Sequence, residues 1–137
     1  MISADELSHR VLAELNEAWT ENIFAMLNTI IEPTGQPAEV AAFTDALKSL
    51  VNKELALLAV EAFFPANPEP RTKIQSLDML AKLGDWFTFD HKRTCWTLRN
   101  GELTKARIPV IKVTSLGRDV GWKLLEQNGY QWWRPRK

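Results

Sequence analysis

The sequence predicts an α+β domain: N-terminal helices, then an aromatic-rich antiparallel hairpin or meander, then a C-terminal helix. Three observations predict it. Apolar residues recur at helical spacing from Leu7 to about Ile31, and again from Val40 to Val51. After Gly84 the pattern changes to alternating stretches rich in aromatic and β-branched residues. Helical spacing returns over Val113–Gly129. At 137 residues the chain reads as one domain, large enough to lose about two-thirds of its unfolded surface on folding. Residues 1–31 form a helix or helix pair, 32–129 the core, and 130–137 an aromatic and basic tail.

The first helix opens with a capping box, Ser3 as N-cap and Glu6 three residues on. Its stripe is Leu7, Val11, Leu12, Leu15, Trp19, Ile23, Met26, Leu27 and Ile30, as one long helix or as two broken near Thr20–Asn22. That stripe either covers the domain's own core or supplies a dimer seam. Glu32–Pro37 stops it with two prolines and a glycine. Pro37 suits the first turn of the next helix, whose stripe is Val40, Phe43, Leu47, Leu50 and Val51.

Leu55–Phe64 fits a buried strand or a continued helix, since periodicity does not separate them. Three prolines make Pro65–Arg71 a loop. A short helix follows, with Ile74, Leu77, Leu80 and Ala81 on one face and Gly84 as its C′ residue. Trp86–Asp90, Thr94–Leu98 and Glu102–Val113 read as a meander of two or three strands, with Asn100–Gly101 as the strongest hairpin turn. The last helix is capped by Thr114 or Ser115, carries the stripe Leu116, Val120 and Leu124, and ends at Gly129.

Several chemistries find no support in the residues. No apolar run approaches the ~18 residues of a membrane span. The N-terminus has neither a basic n-region nor an apolar h-region, so no signal peptide is expected. The single Cys95 points to a reducing, cytoplasmic setting and to a small buried hydrophobe in a strand. His9 and His91 lie far apart. Asp90–Cys95 holds Asp, His and Cys but lacks a second ligand pair at zinc spacing. No nucleotide, hydrolase or zinc-protease motif occurs. The expectation is a non-enzyme with no catalytic residue, no metal and no cofactor.

The net charge of zero hides an asymmetry. Residues 1–70 carry eleven acids and three bases, and residues 71–137 carry six acids and fourteen bases. Either the surface is bipolar, with one end offering a field for phosphate or an acidic partner, or the halves interleave and pair.

"VIKVTSLGRDVGWKLL" resembles the end of winged-helix regulators of the MarR and PadR types. There a wing's last strand runs into a threonine, two residues, a glycine and often a base, and so into the closing helix. Val113, Thr114, Gly117 and Arg118 stand in those places. Phe43–Glu61 is similar to their recognition helix running into a strand, with Glu54 where glycine is usual. The resemblance covers about half the chain. It implies a winged-helix-like fold, homodimers joined by terminal helices, and transcriptional regulation through double-stranded DNA. Another small α+β domain is the alternative.

Two threadings follow. With the recognition helix at Glu39–Lys53, the exposed face offers Glu39, Asp45, Lys48, Ser49, Asn52 and Lys53, a mixed set, and the wing is unusually large. With it at Lys73–Leu83, Arg71, Lys73, Gln75 and Lys82 suit DNA better. Candidate nucleic-acid contacts are Lys73, Lys82, Lys92, Arg93, Arg99, Arg107, Arg118, Arg134 and Arg136. The rival is a protein-interaction module that kept the fold and lost the DNA contacts. Its candidate surface is the pair Trp132–Trp133, of which a strand would send one indole inward and one outward. Membrane attachment through so short an aromatic segment is not expected.

Overall fold

The computed structural model describes residues 2–61, 70–99 and 108–133. The fold is α+β. Its elements are α1 (Ala4–Ala18), β1 (Thr20–Asn22), α2 (Ile23–Ile30), α3 (Pro37–Asn52), β2 (Ala56–Glu61), α4 (Lys73–Ala81), a 3-10 helix (Leu83–Trp86), β3 (Phe87–Asp90), β4 (Cys95–Leu98), β5 (Ile108–Val113) and α5 (Ser115–Asn128). No helix among the described residues is long and apolar enough to cross a membrane.

Ser3 caps α1 by accepting from the Glu6 amide, while the Glu6 carboxylate bonds Arg10. The helix stops at Ala18 because Trp19 turns to positive φ and β1 begins. Asn22 then caps α2, its Oδ1 accepting from the Ala25 amide at 2.8 Å. The N-terminal stripe is therefore two helices with a strand between. Leu7, Val11 and Leu15 are fully buried within the single chain, so they cover the domain's own core.

β5 is the central strand, antiparallel to β1 on one side and β2 on the other, in the order β1-β5-β2. Ile111 faces Glu21 across one ladder and Leu58 across the other. This corrects the meander: β3 and β4 pair only with each other, and β5 does not continue from them. β5 is buried along nearly its whole length, as a central strand with α1 and α2 packed against it would be. The ambiguous Leu55–Phe64 stretch is a strand where described. Asn100–Gly101 lies outside the described residues, and the turn joining β3 to β4 is His91–Thr94.

The β3–β4 hairpin docks on the helices. Asn28 and Trp96 exchange two hydrogen bonds of 2.8 Å, tying β4 to α2. Phe87 meets Phe24, Phe43 and Trp96 edge to face. Glu39 is buried, correcting its place on the exposed face of α3. Its carboxylate accepts from the Thr34 and Gly35 amides and from the Trp96 indole, closing the start of α3 against the hairpin. Cys95 is half-buried rather than a core residue.

α4 is capped by Thr72 and Gln75, and its Ser76 hydroxyl accepts from the Leu58 amide of β2. It ends at Lys82, and Gly84 lies inside the 3-10 helix instead of serving as its cap. α3 ends in a Schellman motif: the Leu55 amide bonds the Leu50 carbonyl and the Glu54 amide bonds the Val51 carbonyl. Glu54 stands at C′ with φ 60°.

Thr114 caps α5, accepting from the Gly117 amide and donating to the Glu54 carbonyl. The buried face of α5 is Gly117, Gly121 and Leu125, not the expected stripe, and Leu116 is exposed. The backbone decides this. A Cβ at Gly117 would collide with the Leu55 carbonyl, and one at Gly121 would lie 2.7 Å from the Leu12 carbonyl. α5 packs so closely on α1 and the start of β2 that only glycine fits, and the larger side chains move to the flanks. The acidic and basic halves thus interleave, α1 against α5 and β1 and β2 both against β5.

Candidate functional site

The end of α1 and the first turns of α5 come together at one edge of the domain. Arg118 and Trp122 are four residues apart on α5, so they share a face. The Arg118 guanidinium lies 3.4 Å from the centre of the Trp19 ring. Asn16 donates to the Arg118 carbonyl at 3.0 Å and fixes α5 against α1. These residues, with Lys112 and Asp119, line a cleft of about 510 Å³. Trp19 is 52% exposed and Trp122 54% exposed.

Two features of this cleft are unusual. Trp19 has φ 66° and ψ −44°, a conformation uncommon for a bulky residue. Its amide bonds Leu15 and its carbonyl accepts from Val113, so the backbone is pinned from both sides. The Nε–H of Arg118 is buried and has no hydrogen-bond partner among the described residues.

A second cavity, of about 470 Å³, separates α3 from the 3-10 helix and the hairpin. Its floor is Val40, Leu80, Phe87 and Trp96, and its rim includes Asp45, Lys48 and Arg99. This side of α3 therefore faces the 3-10 helix and the β3–β4 hairpin.

The basic candidates do not converge. Arg99 lines the α3 cavity and donates twice to the Phe87 carbonyl, at 3.2 and 2.7 Å. Lys82 belongs to a different cleft beside Trp86, and Lys73 starts the same helix that Lys82 closes. Arg118 is stacked on Trp19. Lys92 and Arg93 are exposed at the hairpin turn, where Asp90 accepts from both amides. Those two bonds, Arg93 first, and the neighbouring cations hold the Asp90 carboxyl below its usual range against a smaller effect of desolvation. Arg107, Arg134 and Arg136 lie outside the described residues.

The tryptophan pair at 132–133 is also resolved differently. Tyr130–Trp133 forms a turn, not a strand. Trp133 is fully buried, its indole donating to Glu14, so it is a core residue and its side chain is not available to a partner. Trp132 is half-buried and meets Trp133 edge to face, with ring centres 6.2 Å apart.

The exposed aromatic site is instead Trp19 with Trp122. The sequence reading placed Trp19 in the buried stripe. The break at Thr20–Asn22 was the signal to follow: a residue at a helix end need not share the face of the turns before it. Among the described residues no group of three or more His, Cys, Asp or Glu gathers as a metal site would require. The chain matches no protein-family model, no curated protein and no solved structure.

Proposed function

We propose that this chain is a non-enzymatic protein-interaction module on a winged-helix-like fold, docking its partner at the Trp19–Arg118–Trp122 cleft. The carrying observation is that two half-exposed indoles flank one guanidinium there, with Lys112 and Asp119 in the same lining, while Lys82 and Arg99 lie in separate clefts and Lys92 and Arg93 at the hairpin turn. Aromatic residues and arginine are the side chains enriched where protein surfaces anchor partners.

Support for the fold reading comes from connectivity. The order helix, strand, helix, helix, strand, strand, helix with the sheet β1-β5-β2 is what a winged helix requires, with α4 and the β3–β4 hairpin inserted before the last strand. Glu54 takes positive φ where the resembled regulators carry glycine, which adds to the likeness. The functional step does not follow from fold alone.

Duplex DNA is the second reading, favoured by the Lys92–Arg93 turn, where the Arg93 side chain is 83% exposed. The α3 face argues against it. Over Glu39–Lys53 the exposed residues are Ala41, Asp45, Asn52 and Lys53, with Lys48 half-buried, a mixed set that offers little to a row of phosphates.

The test is binding of mixed-sequence duplex DNA at about 50 and about 200 mM salt. No binding at the lower salt supports the interaction module. Binding that falls steeply with salt and is lost in Lys92→Ala/Arg93→Ala overturns it in favour of DNA. Homodimerisation belongs to the same proposal through the cleft. Sedimentation of the unaltered chain beside Trp122→Ala checks it, and a dimer unaffected by that substitution excludes this surface.

A further inference from the structure

We infer that the Trp19–Arg118–Trp122 cleft recognises a peptide segment that presents a carboxylate beside an apolar side chain. This rests on the partner-binding reading and adds the chemistry of what is bound.

Arg118 carries the argument. A guanidinium stacked on an indole uses its face, but its five N–H donors lie in its plane and stay unsatisfied by stacking. The Nε–H is buried without a partner among the described residues. The hydrogen bonds formed by Arg118 run through its backbone, from its amide to Thr114 and from Asn16 to its carbonyl. No described carboxylate pairs with it, including the adjacent Asp119. With Nε closed off inside the chain and Arg118 half-buried, the terminal N–H pair is the edge of the guanidinium left to meet a carboxylate, and a carboxylate matches that pair bidentately.

The surroundings select the rest of the ligand. Trp122, one helical turn on, leaves half of its indole open to receive an apolar side chain next to that carboxylate. Lys112 and Asp119 line the same cleft, so it offers a balanced setting suited to a single anionic group, and the Arg71, Lys82 and Arg99 cations that a polyanion needs belong to other clefts. Trp19 keeps a backbone conformation few tryptophans adopt, and that conformation holds its ring beneath Arg118. Strain of this kind gathers where a ligand is clamped.

The experiment uses the full chain and three fluorescein-labelled probes read by anisotropy: a short peptide alternating Glu and Phe, its Gln-and-Phe counterpart, and oligo-dT. The Glu peptide is expected to bind about tenfold or more tighter than the Gln peptide, as one charge-assisted bidentate contact provides. Arg118→Gln removes that preference, Arg118→Lys keeps part of it, and Trp122→Ala weakens both peptides. If Arg118→Gln unfolds by circular dichroism, the Glu-against-Gln comparison on the unaltered chain decides. Equal affinity for the two peptides, weakened by Trp122→Ala, overturns the carboxylate inference and leaves the partner-binding reading standing. Binding of neither peptide overturns the inference. Together with duplex affinity lost in Lys92→Ala/Arg93→Ala, it overturns the partner-binding reading too. Oligo-dT bound more tightly than the Glu peptide through Arg118 overturns the inference in favour of phosphate.

Discussion

The indole of Trp133 donates to the Glu14 carboxylate, 3.1 Å from Oε2, and joins residues 119 positions apart. Trp133 is completely buried and Glu14 is 2% exposed. The turn after α5 is thereby locked onto the middle of α1. Trp133→Ala removes both the ring and the donor, and it is expected to cost about 3–5 kcal/mol by large-to-small truncation in a core. Urea denaturation checks it. Trp132→Ala, at a half-buried position, is expected to cost less than half as much.

Glu54 is a residue in a glycine's place. It sits at C′ of a Schellman motif with φ 60°. Left-handed backbone costs a side chain of this kind about 1–2 kcal/mol, and glycine escapes that cost while losing more chain entropy. Glu54→Gly is therefore expected to stabilise the fold by up to about 1 kcal/mol, read as a rise in thermal midpoint. A fall would show that Glu54 contributes through its side chain.

Two glycines give opposite expectations. At Gly121 a Cβ meets the Leu12 carbonyl at 2.7 Å, and backbone does not yield cheaply. Gly121→Leu is expected to lose about 3 kcal/mol or more, as overpacking at a fixed contact does. At Gly84 a Cβ meets nothing within 4 Å. Gly84→Ala is expected to be neutral or stabilising by about 0.5 kcal/mol, because it narrows only the unfolded ensemble. Chemical denaturation of the pair checks both.

The hairpin turn depends on pH through Asp90. Its folded pKa is lowered, first by the Arg93 amide bond. The sign follows from that direction: a depressed carboxyl contributes stability above its unfolded pKa of about 3.9, lost as pH falls through the lower folded value. Chemical shifts of the Lys92 and Arg93 amides are expected to hold constant to below pH 4 and then move together. Asp90→Asn, which keeps an acceptor, is expected to abolish that step.

Local signals in the chain were dependable where one residue does one job. Ser3, Pro37, Thr114 and Gly129 stand at helix ends as their backbone chemistry dictates. The change of period after Gly84 marked the hairpin, in which β3 and β4 pair and β4 alternates in burial. Thr20–Asn22 was legible as a break but not as a strand, because three residues carry no period.

What the sequence determined by itself was the class of the fold, the order of its helices and the absence of a membrane-length apolar run. Tertiary structure alone decided which faces are inside. Leu116 is out and Gly117 is in because two backbones approach too closely for a side chain, and hydrophobicity does not encode that distance. Trp133 is in and Trp19 is out for a similar reason. An indole's partner, Glu14 for one and Arg118 for the other, comes from a distant part of the chain, and only the packing of α1 against α5 brings it there.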